Sequence, residues 1–344
     1  MSTRAEIERA VAGLAFVGTQ GGDGPEVDRF AAALARRGRS LESCLALDAL
    51  HDPTEVSAAE VTAELDRLLP AGCRPALTLI PIGPGALPGR EFALQAVSAV
   101  DPVERDSPAV AVAGPVIAVA GQMSDVDTGM VPQTAEVMAR TADLLAAHGA
   151  SWNDAVRFDV FYRAEGTTEG WAENARERAR HFLEPGPATT GIPVCRLPGV
   201  ARIQVRALAV RDARALRAHS WPQGHWDWPF HLPYKHGVSC AGTAFVGGQV
   251  SLTSEAAVLD PDRLDLQTAR SVRNILRVIA ELGKGPENLL RLMAFYVHDD
   301  AGAAKTVEEV VRAELGGLEV ELSLIGLPYL AYERMVVEIE AEVR

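Results

Sequence analysis

The chain contains 344 residues, of which 48% are hydrophobic and 23% charged, and its formal net charge is −13. That length and composition predict a soluble globular protein of about two or three domains. The acidic balance repels a phosphate backbone and no basic patch offsets it, so we expect no nucleic-acid partner. The sequence shows neither a long apolar span nor an N-terminal signal core, so we expect no membrane partner and a cytoplasmic location.

Three short hydrophobic strands, predicted at 14–21, 117–122 and 244–249, end alike in glycine and glutamine, and a polar turn bearing glycine or aspartate comes next. Each is followed by an amphipathic helix that stops at a glycine, Gly38, Gly149 or Gly283. A β-rich run, a second helix, and a Leu-Pro corner between two further strands complete each unit. Because the order of elements recurs, the sequence predicts three tandem copies of one α+β unit.

The Leu-Pro corners begin at Leu87, Leu197 and Leu327, and their spacing suits whole small domains better than a solenoid repeat. We predict a shortened and diverged first unit at 10–101, a second unit at 108–212 and a third at 232–344. The segment 213–231 is rich in tryptophan and histidine. Long irregular segments inside compact proteins often cover binding sites, so we predict a linker or lid here.

The three units resemble the Rid family of reactive-intermediate deaminases, also called the YjgF or UK114 family, over nearly the whole chain. The resemblance is carried by Leu-Pro-Tyr-Lys-His-Gly-Val at 232–238, by Gly-Gln at 248–249 and by Val-Glu-Ile-Glu-Ala at 337–341. Members of that family are trimers of chorismate-mutase-like subunits around a central β-barrel, with ligand sites between subunits. The resemblance implies an intramolecular pseudo-trimer of α+β units around such a barrel, present as a monomer or a low-order homo-oligomer of pseudo-trimers.

The family's ligand-anchoring arginine is missing from all three units. Its position holds Leu77 in the first unit, Thr189 in the second and about Glu319 in the third. An arginine that grips a carboxylate through two hydrogen bonds is not easily replaced. Hydrolysis of a simple 2-imino acid, the usual family reaction, is therefore not expected, and Glu319 would suit a cationic ligand instead.

Two other family positions are retained in the third unit. Glu338 stands where the family has a carboxylate that positions or activates water, whereas the second unit has Gln204 there and the first about Leu94. A carboxylate in a closed cleft loses solvation, its pKa rises, and it becomes a usable general acid or base. Tyr234 stands where a family tyrosine points into a neighbouring cleft. The alternative is that Glu338 is solvated and Tyr234 only packs its ring.

The segment 219–236 holds four of the eight histidines and three of the five tryptophans. Trp226 and Trp228 are predicted to bind a planar or unsaturated ligand, and His225, two residues before Asp227, is the best histidine acid–base candidate. The alternative is a linker that packs its aromatic rings on the second unit. The histidine spacing does not match a metal site, so we expect no metal.

Thr189, Thr190 and the Gly191 amide are predicted to hydrogen-bond a ligand. Their surroundings, Pro-Ala-Thr-Thr-Gly-Ile at 187–192, also resemble chorismatases, Rid-related enzymes whose catalytic acid is a glutamate in a terminal Val-Glu-Ile-Glu strand. That glutamate corresponds to Glu338. Chorismate is a dianion and needs basic anchors, for which the candidates are Arg196, Arg202, Arg206 and Arg334.

These features predict a cofactor-independent enzyme that acts on a small metabolite in one retained cleft. The reaction would be hydrolysis or elimination at an imine, enamine or enol ether, in a specialised biosynthetic pathway. A chorismatase-like hydrolase or lyase is one alternative. A noncatalytic small-molecule-binding or scaffold protein is the other.

Overall fold

The computed structural model describes residues 1–19, 25–87, 90–164, 168–194, 196–297 and 302–344. Within these ranges the chain is a mixed α+β structure in which sixteen strands form three sheets. No helix in the described part of the chain combines the length and hydrophobicity that crossing a bilayer requires.

The first sheet contains four strands, β1 (Ala15–Gly18), β2 (Cys44–His51), β3 (Ala76–Pro81) and β4 (Phe92–Ser98). Their order is β1-β4-β2-β3, with β2 and β3 parallel and the other neighbours antiparallel. The accompanying helices are α1 (Arg4–Ala12), α2 (Glu26–Arg36) and α3 (Ala58–Leu68).

The second sheet contains six strands, β5 (Glu104–Ser107), β6 (Val110–Ala113), β7 (Val116–Met123), β8 (Ala155–Arg163), β9 (Ala188–Val194) and β10 (Ile203–Val210). Their order is β5-β6-β7-β10-β8-β9, and β8 and β9 are parallel. The helices that belong to this part of the chain are α4 (Met130–Ala147) and α5 (Thr168–Ala179).

The third sheet contains β11 (Arg217–Ser220), β12 (Gly237–Cys240), β13 (Thr243–Gln249), β14 (Leu289–Val297), β15 (Glu321–Leu327) and β16 (Val337–Val343). Their order is β11-β12-β13-β16-β14-β15, and the helices are α6 (Leu264–Glu281) and α7 (Ala303–Glu314). Because β11 pairs with β12, the start of the segment predicted as a linker belongs to this sheet.

One four-stranded arrangement occurs in all three sheets, as β1-β4-β2-β3, β7-β10-β8-β9 and β13-β16-β14-β15. In each, two antiparallel pairings are followed by one parallel pairing across a helix. The described strands form three separate sheets and do not close into one hydrogen-bonded barrel. The predicted α+β class is thus confirmed, whereas the predicted central barrel is not shown.

Local sequence explains where several helices begin and end. At the start of α3 the Ser57 hydroxyl accepts a hydrogen bond from the Glu60 amide, while the Glu60 carboxylate accepts one from the Ser57 amide. After α2, α4 and α6 the chain turns at Gly38, Gly149 and Gly283, where φ is 66°, 72° and 73°. These are left-handed conformations, which glycine adopts without the penalty of a Cβ atom.

The register of the sheets defines which residues occupy equivalent positions. In the third sheet Glu338 pairs with Phe295 of β14. The equivalent pairs are Gln204 with Phe161 in the second sheet and Ala93 with Leu50 in the first. The first-sheet equivalent of Glu338 is therefore Ala93 and not Leu94, since that prediction was one residue out of register.

Candidate active site

A cavity lies where β9 of the second sheet faces β13 and β16 of the third. About 40 Å³ within it is open to the centre of a water molecule. Six of the predicted site residues line this cavity together: Glu338, Tyr234, Thr189, Gly191, Trp226 and Trp228.

Glu338 lies on the wall of the cavity with only 7% of its surface exposed. Gly248 provides the room for its side chain, because a Cβ atom on Gly248 would lie 2.6 Å from the Glu338 Cδ atom. Burial raises the pKa of Glu338 to about 8, and the negative charges of Glu340 and Asp159 act in the same direction. A hydrogen bond from the Gly191 amide opposes this rise without cancelling it. The Glu338 carboxyl therefore carries a proton at neutral pH.

Tyr234 is held at the junction of the two units by backbone hydrogen bonds. The Gly186 amide donates to the Pro233 carbonyl at 2.7 Å, and the Lys235 amide donates to the Pro187 carbonyl at 3.1 Å. The Tyr234 ring is fully buried, and burial raises the pKa of its hydroxyl to about 12. This hydroxyl is therefore a neutral hydrogen-bond donor at physiological pH.

Three hydroxyl groups on the cavity wall have no hydrogen-bond partner among the described residues. They belong to Tyr234, Tyr332 and Thr189. Buried polar groups are nearly always hydrogen-bonded in folded proteins, and leaving one unpaired costs about 1–3 kcal/mol. Three such groups around one cavity indicate that its occupant is rich in hydrogen-bonding atoms.

Arg178 of α5 also lines the cavity and is only 2% exposed. Its Nε donates to the Asn174 carbonyl at 3.2 Å, and its guanidinium carbon lies 5.7 Å from the centre of the Phe158 ring. No carboxylate forms an ion pair with it within the described ranges, and burial lowers its pKa. A desolvated guanidinium without a counter-ion favours an anionic ligand in the adjoining cavity.

Aromatic side chains form the remaining wall. Trp226 and Trp228 meet edge to face with ring centres 5.2 Å apart, and Trp171 of α5 lies 5.6 Å from Tyr332. Trp228 is stacked on the ring of His236 at 5.4 Å. The predicted role of Trp226 and Trp228 as walls of a ligand pocket is therefore consistent with their positions.

His225, predicted as a catalytic candidate, does not line the cavity. Its Nε2 lies 2.8 Å from the Gln249 Oε1 atom, which also accepts a hydrogen bond from Trp226 Nε1 at 3.1 Å. Burial lowers the pKa of His225 to about 4, so the ring is neutral at physiological pH. His225 therefore helps to position Trp226 through their shared contact with Gln249, and it does not reach a ligand in the cavity.

Two predicted binding residues lie elsewhere. Thr190 points to the opposite side of β9 from Thr189, because successive side chains of a strand alternate, and it faces the space between the three sheets. Glu319 precedes β15 and lines a separate surface cleft with Arg90 and Arg312. Neither side chain can contact a ligand beside Glu338.

The register also corrects the position of the missing family arginine in the third unit. Leu77 and Thr189 are the second residues of their parallel pairings, and the equivalent residue of β15 is Leu322, not Glu319. The corrected alignment still has no arginine at this position in any of the three units. None of the four basic candidates from the corner strands lines the Glu338 cavity within the described residues.

Sequence reasoning missed Arg178, Trp171 and Tyr332. The available signal was in α5, where Trp171, Asn174 and Arg178 are spaced three, four and seven residues apart and so share one helix face. Two polar residues on the buried face of a helix need hydrogen-bond partners. Here the cavity leaves room for a ligand to be the partner of one of them. The site combines a protonated carboxyl, a buried cation and unpaired hydroxyls, which suits proton transfer to a small anion.

Comparison with known proteins places the whole chain in one known fold. A chorismatase crystal structure superposes with a TM-score of 0.65 at 15% identity, covering 97% of this chain and 99% of that one. Shorter matches include a member of the YjgF/YER057c/UK114 family from Mycobacterium tuberculosis, at 24% identity and a TM-score of 0.28 over 30% of this chain and 84% of that one. RidA from the Antarctic bacterium Psychrobacter matches at 19% identity and a TM-score of 0.28, over 32% of this chain and 92% of its own.

No family model and no curated protein matches the sequence. The predicted structural resemblance to the Rid family and to chorismatase is confirmed, and this chain has the chorismatase fold over nearly its whole length.

Proposed function

We propose that this chain is a cofactor-independent enzyme that uses Glu338 as a general acid on a small, anionic, unsaturated metabolite. The observation that carries the proposal is the buried Glu338 on the wall of a cavity where three hydroxyl groups have no partner among the described residues. A general acid whose pKa lies near the working pH transfers protons efficiently. The other two units have Gln204 and Ala93 at the equivalent position, so the chemistry is assigned to one cleft.

The favoured reaction is hydrolysis or elimination at an imine, enamine or enol ether. Glu338 would donate its proton to the unsaturated carbon or nitrogen and leave a cationic centre. In hydrolysis, water adds to that centre and returns one proton to the Glu338 carboxylate, and the second proton of the water passes to the leaving alcohol or amine as its bond to carbon breaks and the carbonyl forms. Tyr234 and Thr189 would hydrogen-bond the substrate, and Arg178 would pair with its carboxylate.

A chorismatase-like hydrolase or lyase is the specific form of this proposal that the shared fold supports. Chorismate is an enol ether and a dianion. Arg178 supplies the buried cation that the corner-strand arginines do not. Together with the three-sheet arrangement, this supports a pseudo-trimeric enzyme with one working cleft per chain.

The test is to incubate purified protein with chorismate and measure released pyruvate. A separate reaction uses 2-iminopropionate generated in place, with released ammonia as its readout. We expect pyruvate release that is lost in Glu338→Gln, and little turnover of the imine because the family arginine is absent. Turnover that survives in Glu338→Gln would contradict the assigned role. Stoichiometric binding of chorismate in native mass spectra without turnover would favour the noncatalytic binding protein.

A further inference from the structure

A cluster of buried ionic side chains lies behind Glu338, where the inner faces of the three sheets meet. Its arginines are Arg157, Arg206 and Arg291, and its carboxyl groups are Asp48, Asp159, Glu340 and Glu342. Four carboxylates against three guanidinium groups leave one surplus negative charge. We call these three arginines and four carboxyl groups the axial cluster. An unpaired charge is costly in a low-dielectric interior, so one carboxyl group of the axial cluster should keep its proton.

Asp159 forms ion pairs with two of the three arginines. Its Oδ2 atom lies 2.8 Å from Arg157 Nε and 2.9 Å from Arg206 Nη2. Arg157 also pairs with Glu340, and its Nη1 lies 2.8 Å from the Glu342 Oε1 atom. Glu340 in turn lies two residues from Glu338 on the same face of β16, so the cluster and the proposed acid are electrostatic neighbours.

A small space of about 10 Å³ lies beside this cluster, where Asp48, Asp159, Arg206, Glu340 and Thr190 line it together with six apolar side chains. Four oxygen atoms on its wall have no hydrogen-bond partner among the described residues: Asp48 Oδ1, Asp159 Oδ1, Glu340 Oε1 and Thr190 Oγ1. All four residues are more than nine-tenths buried. The volume suits a single water molecule, and the four oxygens offer it the two to four partners that a buried water needs.

We propose that the axial cluster holds one water molecule and one retained proton at Asp159, and that loss of this proton changes the proton affinity of Glu338. Loss of the Asp159 proton leaves a surplus negative charge beside Glu338, which makes Glu338 hold its own proton more tightly. Asp159 is thus a positioning residue that acts through Glu338. The relevance for turnover rests on the proposed function, whereas the existence of the stored proton does not.

The electrostatics of the neighbouring groups agree with a retained proton at Asp159. Burial raises the pKa of Asp159 to about 7, and the charge of Glu340 adds to this rise against the opposing effect of Arg157. The pKa of Glu342 is lowered by Arg291 and Arg157 despite its burial, so Glu342 is ionised. The other groups near Glu338 are the Tyr162 and Tyr332 hydroxyls, whose pKa values are raised, and Arg178 across the cavity.

The experiment follows the carboxyl carbons of the full-length protein by ¹³C NMR from pH 5 to pH 9, with Asp and Glu side chains labelled. We expect Asp159, assigned with Asp159→Asn, and Glu338, assigned with Glu338→Gln, both to titrate within this range. Asp159→Asn cannot become negative, so the midpoint of Glu338 should fall by about one pH unit. An unchanged Glu338 midpoint in a folded Asp159→Asn protein would overturn the proposal.

A second pair of variants, with smaller structural effects, keeps the proposal testable if Asp159→Asn does not fold. Thr190→Val keeps the shape but removes one partner of the water, so it should raise the midpoint of the cluster carboxyl. Thr189→Val makes the same change on the other face of β9 and should leave that midpoint where it is. Equal behaviour of the two variants would refute the placement of the water, as would a crystal structure that shows the space empty or filled by a metal ion.

None of these measurements uses a substrate. Independence of the Asp159 and Glu338 titrations would refute the inference even if the enzyme turns over chorismate. Failure to find turnover would refute the proposed function and leave the titrations standing.

Discussion

Glu338→Gln removes a proton that the folded protein binds more tightly than the unfolded chain. Burial raises the pKa of Glu338 from 4.5 to about 8, so between these values folding requires proton uptake at this site. The contribution to stability is fully present below the unfolded value and is lost as pH rises, by about 1.4 kcal/mol for each pH unit. From pH 6 to pH 8 the loss is about 2 kcal/mol, because the slope flattens near the folded value.

The assay is urea denaturation of wild type and Glu338→Gln at pH 6 and pH 8. Taking the difference between the two proteins at each pH cancels the contributions of buried histidines such as His225 and His236. The free energy of unfolding of the variant, relative to wild type, should rise by about 2 kcal/mol between pH 6 and pH 8. A difference that does not change with pH would show that Glu338 is ionised and solvated, which would refute the reasoning.

A matched control is Glu319→Gln, which makes the same chemical change on an exposed side chain outside the cavity. Its stability relative to wild type should stay constant over the same interval. The reverse substitution Gln204→Glu adds a carboxyl at the equivalent buried position of the second sheet. It should steepen the loss of stability with rising pH.

Further outcomes follow from the same geometry. Arg178→Met should weaken binding of an anionic ligand by about 10²-fold in isothermal titration, whereas Arg180→Met, at an exposed position two residues on, should leave it unchanged. Gly248→Ala should abolish ligand binding because the added methyl group collides with the Glu338 carboxyl. Tyr234→Phe should lower kcat by roughly tenfold, less than loss of the acid does, because it deletes one hydrogen bond. The kcat of wild type should fall as pH rises through about 8, with the alkaline limb set by Glu338.

Much of the fold was predictable because its markers are local. Turn glycines such as Gly149 and corner residues such as Leu197 recur in the same order in each unit, and the helices between them have clear amphipathic spacing. Register was less predictable. The pairing of β13 with β16 shifts between Val246 and Gln249. Bulges of this kind shift the alignment of equivalent positions between the units by one residue, and the sequence gives no strong signal of them.

The candidate site was predictable where the chemistry lies in one strand, and not where it depends on contact between distant segments. Glu338 was identifiable because the last strand of the chain has a characteristic Val-Glu-Ile-Glu-Ala sequence. The faces of Thr189 and Thr190 could not be told apart, since alternation alone does not say which side meets the cavity. Arg178 joins Glu338 only through the packing of two sheets, and the aromatic setting of His225 gave no sign that its ring supports Gln249.

The most direct test of the central claim is the infrared difference spectrum between wild type and Glu338→Gln at pH 7. The account predicts that wild type shows the C=O stretching band of an un-ionised carboxylic acid and that the variant lacks it. The band should disappear from wild type as pH rises through about 8. Spectra that are identical in this region, with Glu338 contributing only the bands of a carboxylate at pH 7, would contradict the claim that a buried acid is kept protonated in this cavity.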